Sequence, residues 1–368
     1  MRRKRVFIAP LDWGLGHATR SARLIDLLLE ANAEVFIGSS GTALQFLKLQ
    51  YPSLSTFPLP GYNVSYARNH QQVIRIMSQV PRLAAIIREE NQQLKSILKR
   101  LKIDAIISDN RYGIHDPGIP SVFVCHQLNP ILPSGWRWFE PAVSRLHKWF
   151  IRPFDQVWIP DFEGMPNLSG DLSHRLLLPD KARFIGPLSR FQSLHQLPKA
   201  FGHPILDQYP PEVLAIISGP EPHRTLLETI IEKQSRDITQ TLWLVKGKTD
   251  QTEISKQDNL ISITHLSTDL LALAISRATT LISRSGYSSI MDYQSLGVTK
   301  PVFIPTPGQT EQEYLAMTLK ESGYAQVYSQ QNFVLKDCIH SSAILVPNNS
   351  PEIVKNQQTL IGEFLADL

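Results

Sequence analysis

Cysteine is almost absent: the 368 residues hold two, Cys125 and Cys338, each within or beside an apolar segment. That excludes a disulfide framework and a cysteine-bound zinc site, and both thiols read as buried and reduced. Long apolar runs are missing as well. None approaches the roughly 20 residues that cross a bilayer, and Met1 to Val6 leads into a strand pattern without the apolar segment of a secretory signal. The expectation is a cytoplasmic protein. Charge of one sign is scarce, with a formal net +4 from 37 Lys and Arg against 33 Asp and Glu. So slight an excess gives no reason to expect nucleic acid as a partner, while it suits phosphorylated ligands or an anionic membrane surface. Short-period repeats, low-complexity tracts and a compact Asp-x-Asp carboxylate pair are also missing. No metal site is expected.

What is present is a long, 42% hydrophobic chain in which short apolar strands alternate with helical patterns, enough for two domains with a core each. The first half offers strands at Arg5–Ala9, Glu34–Gly38, Asp104–Ser108, Ser121–Cys125 and Gln156–Ile159, with helices at Ala18–Glu30 and Pro81–Leu101 between them. The second half restarts the plan with strands at Val213–Ser218, Thr241–Val245, Leu260–Ile263, Thr280–Ser283 and Pro301–Ile304. The fold class is therefore α/β, with two doubly wound, Rossmann-like domains. A turn-rich stretch from Gly186 to Pro204 separates them. The boundaries read as 1–188, a linker at 189–204, a second domain at 205–350, and a final helix at 351–368 that packs back toward the first domain.

Each half opens with a strand and a glycine loop. The first strand runs into Asp12-Trp-Gly14-Leu-Gly16-His17-Ala-Thr-Arg20, where Gly14 and Gly16 allow close backbone approach and His17 stands at the start of a helix. A dinucleotide fingerprint fails at its third glycine, which is Thr19, and the next strand ends in Gly38-Ser39-Ser40 with no acidic residue for a ribose. Lys246-Gly-Lys-Thr249 lacks the earlier glycine of a phosphate loop. In the second half, Ser218-Gly219 is followed by His223-Arg224, a set of hydroxyl, N–H and cationic donors suited to phosphate oxygens or, more plainly, to a helix entry with solvated basic residues.

The densest signal is Ile282-Ser-Arg284-Ser285-Gly286-Tyr287-Ser288-Ser-Ile-Met-Asp292. A strand enters Gly286 and a helix leaves it, so unpaired backbone N–H groups and a positive dipole end face whatever lies above, an anion site most readily filled by a diphosphate. Asp292, about a turn and a half into that helix, can accept two hydrogen bonds from a ribose diol. Together with Leu296-Gly-x-x-x-Pro301, Ile304-Pro305, Gln309 and Gln312-Glu313, this stretch resembles the donor half of the MurG-like glycosyltransferases. Those enzymes carry Glu at the position of Asp292 and Gln at the position of Glu313. The first change shortens the ribose contact by a methylene, and the second adds charge near the donor sugar, which counts against N-acetylglucosamine. The first half is similar too: Gly14-Leu-Gly16-His17 matches the family's first glycine loop, and Val124-Cys-His126-Gln-Leu-Asn129 its His-Glu-Gln-Asn segment. Pro220-Glu-Pro-His223-Arg224 departs from the family's Gly-Ser-Gln-Gly loop.

The resemblance implies a glycosyltransferase B fold with the acceptor on the first domain, a nucleotide-sugar donor on the second, a UDP-sugar as co-substrate, and no metal or other cofactor. It implies inversion at the anomeric carbon and so a base for the acceptor hydroxyl. His17 is the first candidate because imidazole titrates near neutral pH; Asp12 and Asp109, the latter at the end of a strand, are the reserves. Arg20, Arg111, His126 and Asn129, with Gly14 and Gly16, form the candidate acceptor side. Between 135 and 153, aromatic and basic residues interleave, including Trp138, Phe139, Arg145, Leu146, Lys148, Trp149 and Phe150. They suit either a helix packed in the core or a peripheral contact with the inner face of a membrane that presents a lipid-linked acceptor. Two other functions fit the same residues: a nucleotide-sugar hydrolase, since Gly-x-Gly-His-x-x-Arg20 is also similar to hydrolases of this fold, and a non-catalytic nucleotide-sugar-binding subunit.

Overall fold

A computed structural model describes residues 2–62, 72–176, 178–194, 204–248, 253–339 and 351–368, with the side chains of 72–80 outside that description. The chain divides into two compact units, Met1–Leu188 with Ser350–Leu368, and Ser189–Asn349. The first unit carries the strands β1 (Arg5–Pro10), β2 (Glu34–Ser39), β3 (Ser55–Pro58), β4 (Ala105–Asp109), β5 (Ser121–Val124), β6 (Gln156–Ile159) and β7 (Ala182–Phe184). They form one parallel sheet in the order β3-β2-β1-β4-β5-β6-β7. Its middle strands are apolar throughout, with Val6, Phe7, Ile8 and Ala9 all sealed from solvent, as a parallel sheet covered on both faces demands. The covering helices are α1 (Gly16–Glu30), α2 (Gly41–Gln50), α3 (Gln72–Arg100), α4 (Glu140–Ile151) and the short α5 (Asp171–His174).

The second unit repeats the architecture. It begins with the single-turn helix α6 (Pro204–Gln208), and its strands are β8 (Val213–Ile216), β9 (Leu242–Val245), β10 (Ile254–Gln257), β11 (Leu260–Ile263), β12 (Thr280–Ser283), β13 (Val302–Phe303) and β14 (Gln326–Val327). The sheet order is β10-β11-β9-β8-β12-β13-β14, parallel except for the β10–β11 hairpin. Around it lie α7 (His223–Gln234), α8 (Thr268–Arg277), α9 (Tyr287–Leu296) and α10 (Thr310–Glu321). The last helix, α11 (Pro351–Ala366), belongs to the first unit, where Phe364 meets Trp158 edge-on at 5.2 Å and Gln357 donates to the Pro187 carbonyl at 2.8 Å. In both sheets the chain starts in the middle, works outward to one side, then crosses to the other. The crossing points, β1/β4 and β8/β12, are where open α/β sheets leave a crevice for ligands.

The sequence pattern missed β3, β7, β10 and β14, and all four are edge strands. An edge strand is covered on fewer sides, so its residues need not be apolar; β10 is exposed at every position. The helix expected from Pro81 begins instead at Gln72 and carries Pro81 inside it. A proline there removes one backbone hydrogen bond, but the buried side chains of Ile86, Leu94 and Ile97 hold the helix against the sheet. The strand expected at 301–304 pairs only over Val302–Phe303, flanked by Pro301, which has no N–H, and by Pro305. In the turn-rich stretch, Ser189 caps a 3-10 turn at Arg190–Ser193 with a reciprocal bond to Gln192, while 195–203 lie outside the described residues.

Candidate functional site

At the β1/β4 crossing the loop Leu11–Leu15 carries the chain into α1. Gly14 sits there at φ +70°, a conformation that favours glycine, and its N–H closes onto the Asp12 carbonyl at 3.0 Å. The turn sets His17 in the first turn of α1, and register Pro10↔Asp109 brings the last residue of β4 beside it. Nδ1 of His17 lies 2.9 Å from Oδ1 of Asp109. An ionised carboxylate only accepts, so a bond to it requires the imidazole proton on Nδ1 and leaves Nε2 bare, while Nη2 of Arg20 lies 2.8 Å from the same Nδ1. Arg20, one turn along α1, donates Nε to Asp109 Oδ2 at 2.8 Å and Nη2 to Oδ1, while Ser21 Oγ donates to Oδ2 at 3.0 Å. Nη1 of Arg20 reaches Nδ1 of His126 at 2.9 Å.

These contacts set the charges. Burial pushes the Asp109 carboxyl up, but Arg20 and then His17 overrule it and hold it well below the usual carboxylate range. Burial holds His17 below its ordinary value, the Arg20 charge adds to that, and Asp109 works against it. The result is an ionised, completely buried Asp109 behind a neutral His17 whose side chain is 13% exposed. Asp109 is thereby a partner of His17 and has no open edge of its own. Asp12 is more open, its Oδ1 3.6 Å from Arg111 and 3.4 Å from the backbone N–H of Tyr62.

The candidate acceptor residues fare differently. Arg20, Arg111, His126 and Asn129 are all buried. Arg111 donates to the carbonyls of Pro10 and Pro60, to Ser40 Oγ and to Glu90 Oε1 at 2.5 Å. A guanidinium so committed holds loops together and offers nothing to an acceptor. Asn129 ties its loop to Leu172 and Asp171 through backbone and side-chain donors. Gly14 and Gly16 remain at the loop itself. Sequence reasoning missed Glu90 and Tyr62, whose hydroxyl donates to Glu90 Oε2 at 2.8 Å, because nothing local links a helix carboxylate to an arginine 21 residues on.

In the second unit the strand order sets the loops after β8, β12 and β13 side by side, and each leads into a helix: α7, α9 and α10. Three helix N-termini open at one sheet edge, and α7 and α9 have no acidic residue in their first turns. Gly219 (φ +108°) and Gly308 (φ +79°) take conformations that favour glycine. Gly286 is the N-cap of α9 at an ordinary φ of −70°, and a Cβ added there would meet nothing within 4 Å, so the space above it is open. Ser285 Oγ donates to the Gln312 carbonyl at 2.8 Å and ties α9 to α10, which Gln309 caps without a side-chain bond. Tyr287 is buried, and Ser288 and Ser218 are half-buried at the same edge.

Several expected donor ligands turn out to be committed within the protein. Arg284 is fully buried and donates to the carbonyls of Ile304, Pro305 and His223 and to Gln330 Oε1. It buttresses the loops after β8 and β13 from below. Arg224 pairs with Glu221 through Nε at 2.9 Å and Nη2 at 2.5 Å, and His223 is 5% exposed. Gln312 Oε1 accepts from Thr306 N, and Glu313 Oε1 from Gly308 N, both at 2.9 Å. Asp292 is buried on the second turn of α9, with Ser189 Oγ donating to it at 2.6 Å and Arg190 Nε 3.6 Å away. Burial raises its pKa, against the pull of Arg190 and Ser189. Ser189 and Arg190 were read as linker, since only the fold brings them beside a residue 103 positions later. Thr306 was also missed: it is fully buried, its Oγ1 has no hydrogen-bond partner among the described residues, and a Cβ on Gly219 would lie 3.5 Å from that oxygen.

Among the described residues no three of His, Cys, Asp and Glu come together in a way that could hold a metal ion. The exposed face of α4 sets large apolar side chains among basic ones: Trp138, just before the helix, is 74% exposed, Leu146 51% and Trp149 62%, with Arg145 exposed beside them, whereas Glu140, Ser144, His147 and Ile151 face inward. The packed-core reading of those apolar side chains is thus overturned for Trp138, Phe139, Leu146 and Trp149.

Residues 213–340 match the glycosyltransferase family 28 C-terminal domain. No curated protein matches the chain. Among solved structures it is similar to the glycotransferase of kitacinnamycin, at 15% identity over 100% of this chain and 95% of that one, with a TM-score of 0.58. It is similar to Phytolacca americana UGT2, solved with UDP-2-fluoro-glucose and pterostilbene, at 15% identity, 100% and 94% coverage and a TM-score of 0.56. It is similar to MurG of Acinetobacter baumannii at 14% identity, 99% and 100% coverage and a TM-score of 0.50. The fold is that of the glycosyltransferase B enzymes, two Rossmann-like domains, and the MurG structure stands among other glycosyltransferases without being set apart from them.

Proposed function

We propose that the protein is an inverting, metal-independent glycosyltransferase that moves a sugar from a nucleotide sugar, a UDP-sugar in the first instance, to a hydroxyl acceptor. The observation that carries this reading is the neutral His17 held by a buried, ionised Asp109 at the sheet crossing of the first unit. In the reaction, bare Nε2 of His17 takes the acceptor proton as the acceptor oxygen bonds to the anomeric carbon. The bond from that carbon to the diphosphate breaks on the opposite face, and its electron pair leaves with the diphosphate oxygen. Asp109 stabilises the imidazolium that forms. The donor belongs to the second unit, where the family 28 match lies. Its diphosphate is assigned to the helix N-termini at His223, Gly286 and Gln309, whose N–H groups and dipoles would receive the charge of the leaving group. Asp292 is assigned to the ribose and Gln312 with Glu313 to the sugar.

The acceptor is assigned to the first unit, and the apolar face of α4 supports a lipid-linked one. Trp149 lines a depression of about 380 Å³ together with Arg145, Lys148, Arg152 and Lys181, and Trp138 and Leu146 are exposed on the same segment of the chain. Aromatic side chains amid basic ones suit the interface of an anionic bilayer. The contact assigned is a peripheral one, on the inner face; no helix among the described residues is long and apolar enough to cross a membrane.

The test is to give the purified protein a panel of nucleotide sugars, with and without lipid-linked acceptors, and to follow nucleotide release. Release that requires an acceptor supports the transferase. Release without acceptor makes it a hydrolase, and binding without turnover in any mixture makes it a binding subunit.

A further inference from the structure

Thr306 carries a hydroxyl that the protein itself does not use. The residue stands between Pro305 and Pro307 in the loop from β13 to α10, is sealed from solvent, and its Oγ1 has no hydrogen-bond partner among the described residues. Its backbone is fully engaged: the N–H donates to Gln312 Oε1 at 2.9 Å, and the carbonyl accepts at 3.0 Å from the N–H of Gln309, the N-cap of α10. A buried hydroxyl without a partner is costly, and valine, of the same shape, would avoid that cost.

Two features of the surroundings say what the hydroxyl is for. A Cβ added to Gly219, in the loop from β8 to α7, would meet one atom within 4 Å, and that atom is Thr306 Oγ1 at 3.5 Å. The space beside Gly219 is thus open apart from the hydroxyl that borders it. The second feature is charge. Arg284 bridges the same two loops, donating to the Pro305 carbonyl next to Thr306 and to the His223 carbonyl at the start of α7. Its acceptors are three carbonyls and the Gln330 amide oxygen, and no carboxylate pairs with it among the described residues. Burial pulls its pKa down only to about 10, so it stays charged at neutral pH. A buried cation without a counter-charge, a hydroxyl donor without an acceptor and the N-termini of α7 and α10 all call for an anion at one place.

We infer that Thr306 binds the diphosphate of the nucleotide sugar: its Oγ1–H donates to a phosphate oxygen lodged beside Gly219, where the loops into α7 and α10 meet. Oγ1 is shielded from solvent, so the contact needs the loop at Gly219 to give slightly, which a residue without a Cβ, at φ +108°, allows. A hydroxyl facing a phosphate makes a charge-assisted bond, and Arg284 supplies positive charge without touching the ligand. The inference rests on the diphosphate lying at these helix N-termini, and it names a side chain there whose donor the protein leaves unused.

The experiment is calorimetry on the full-length protein with UDP, dTDP and GDP, then with the tightest of them on two variants, alongside urea denaturation without nucleotide. Thr306→Val keeps the shape and removes the hydroxyl, whereas Thr306→Ser keeps the hydroxyl. Thr306→Val is expected to be at least as stable as wild type, because the group it loses has no partner, and to bind the nucleotide at least about tenfold more weakly. Thr306→Ser is expected to bind it as wild type does. Wild-type affinity in Thr306→Val overturns the inference and leaves the donor reading standing, and so does an equal loss of affinity in Thr306→Ser. Lower stability of Thr306→Val without nucleotide overturns it by showing the hydroxyl to be structural. Binding of none of these nucleotides by the wild-type protein removes the donor reading and the inference with it.

Discussion

At the scale of single residues, burial separates what works from what holds. Arg111 and Glu90 are both sealed from solvent and 2.5 Å apart. Arg111→Ala removes the counter-charge of buried Glu90 and several loop hydrogen bonds, so urea denaturation is expected to show a loss of about 3–5 kcal/mol. His17 gives a pH prediction. Its folded pKa lies below the ordinary value of about 6.5, mainly through burial. Protonation removes the base, so the acid limb of the kcat/KM profile is expected to fall below pH of about 6.5. An inflection at or above that value contradicts the account. The same group is more easily protonated when the chain unfolds, so its contribution to stability is present above about pH 6.5 and is lost as pH falls toward the folded value. How much of this was legible depends on distance along the chain. His17, Gly14 and Gly16 announce themselves within one loop. The commitments of Arg20, Arg111 and Arg284 to internal acceptors could not be read, because each depends on residues far along the chain.

At the scale of elements, the central strands were readable because burial on both faces makes them continuous apolar runs, as in Val213–Ile216. The edge strands were not, for want of that constraint. The glycine loops were readable as strand-to-helix turns, and the N-terminus of α9 falls where the sequence placed it. This element carries its own prediction. Gly286 has an ordinary φ and open space where a Cβ would go. Gly286→Ala is therefore expected to change stability by no more than about 0.5 kcal/mol while occupying space needed by the phosphates. Calorimetry should find nucleotide binding weakened by at least about tenfold, or roughly 1.4 kcal/mol. Equal losses in stability and binding would point to damaged folding at that turn. The outward face of α4 was legible only as an alternative, since helical spacing alone does not say which face meets the sheet; Glu140, held by Arg175 at 2.8 Å, faces inward and turns Trp149 out.

At the scale of the whole molecule, two sheets of the same plan each have a crossing point, with the His17–Asp109 pair at one and helix N-termini at the other. The weak net charge of +4 conceals a local basic face around α4. Flotation with anionic vesicles is expected to show salt-sensitive binding, and a Lys148→Ala, Trp149→Ala double variant to lose at least about tenfold, from about 1 kcal/mol per basic residue plus the lost aromatic. Equal binding to neutral vesicles would remove the electrostatic part of that reading. The division of labour between the units is tested most directly by measuring binding and turnover side by side in two variants, with a nucleotide sugar that the wild-type protein binds. His17→Ala is predicted to bind it as wild type does and to lose turnover by on the order of 10²–10⁴-fold, whereas Asp292→Ala is predicted to bind it roughly 10–100-fold more weakly. Unchanged turnover in His17→Ala, or unchanged binding in Asp292→Ala, would contradict the account.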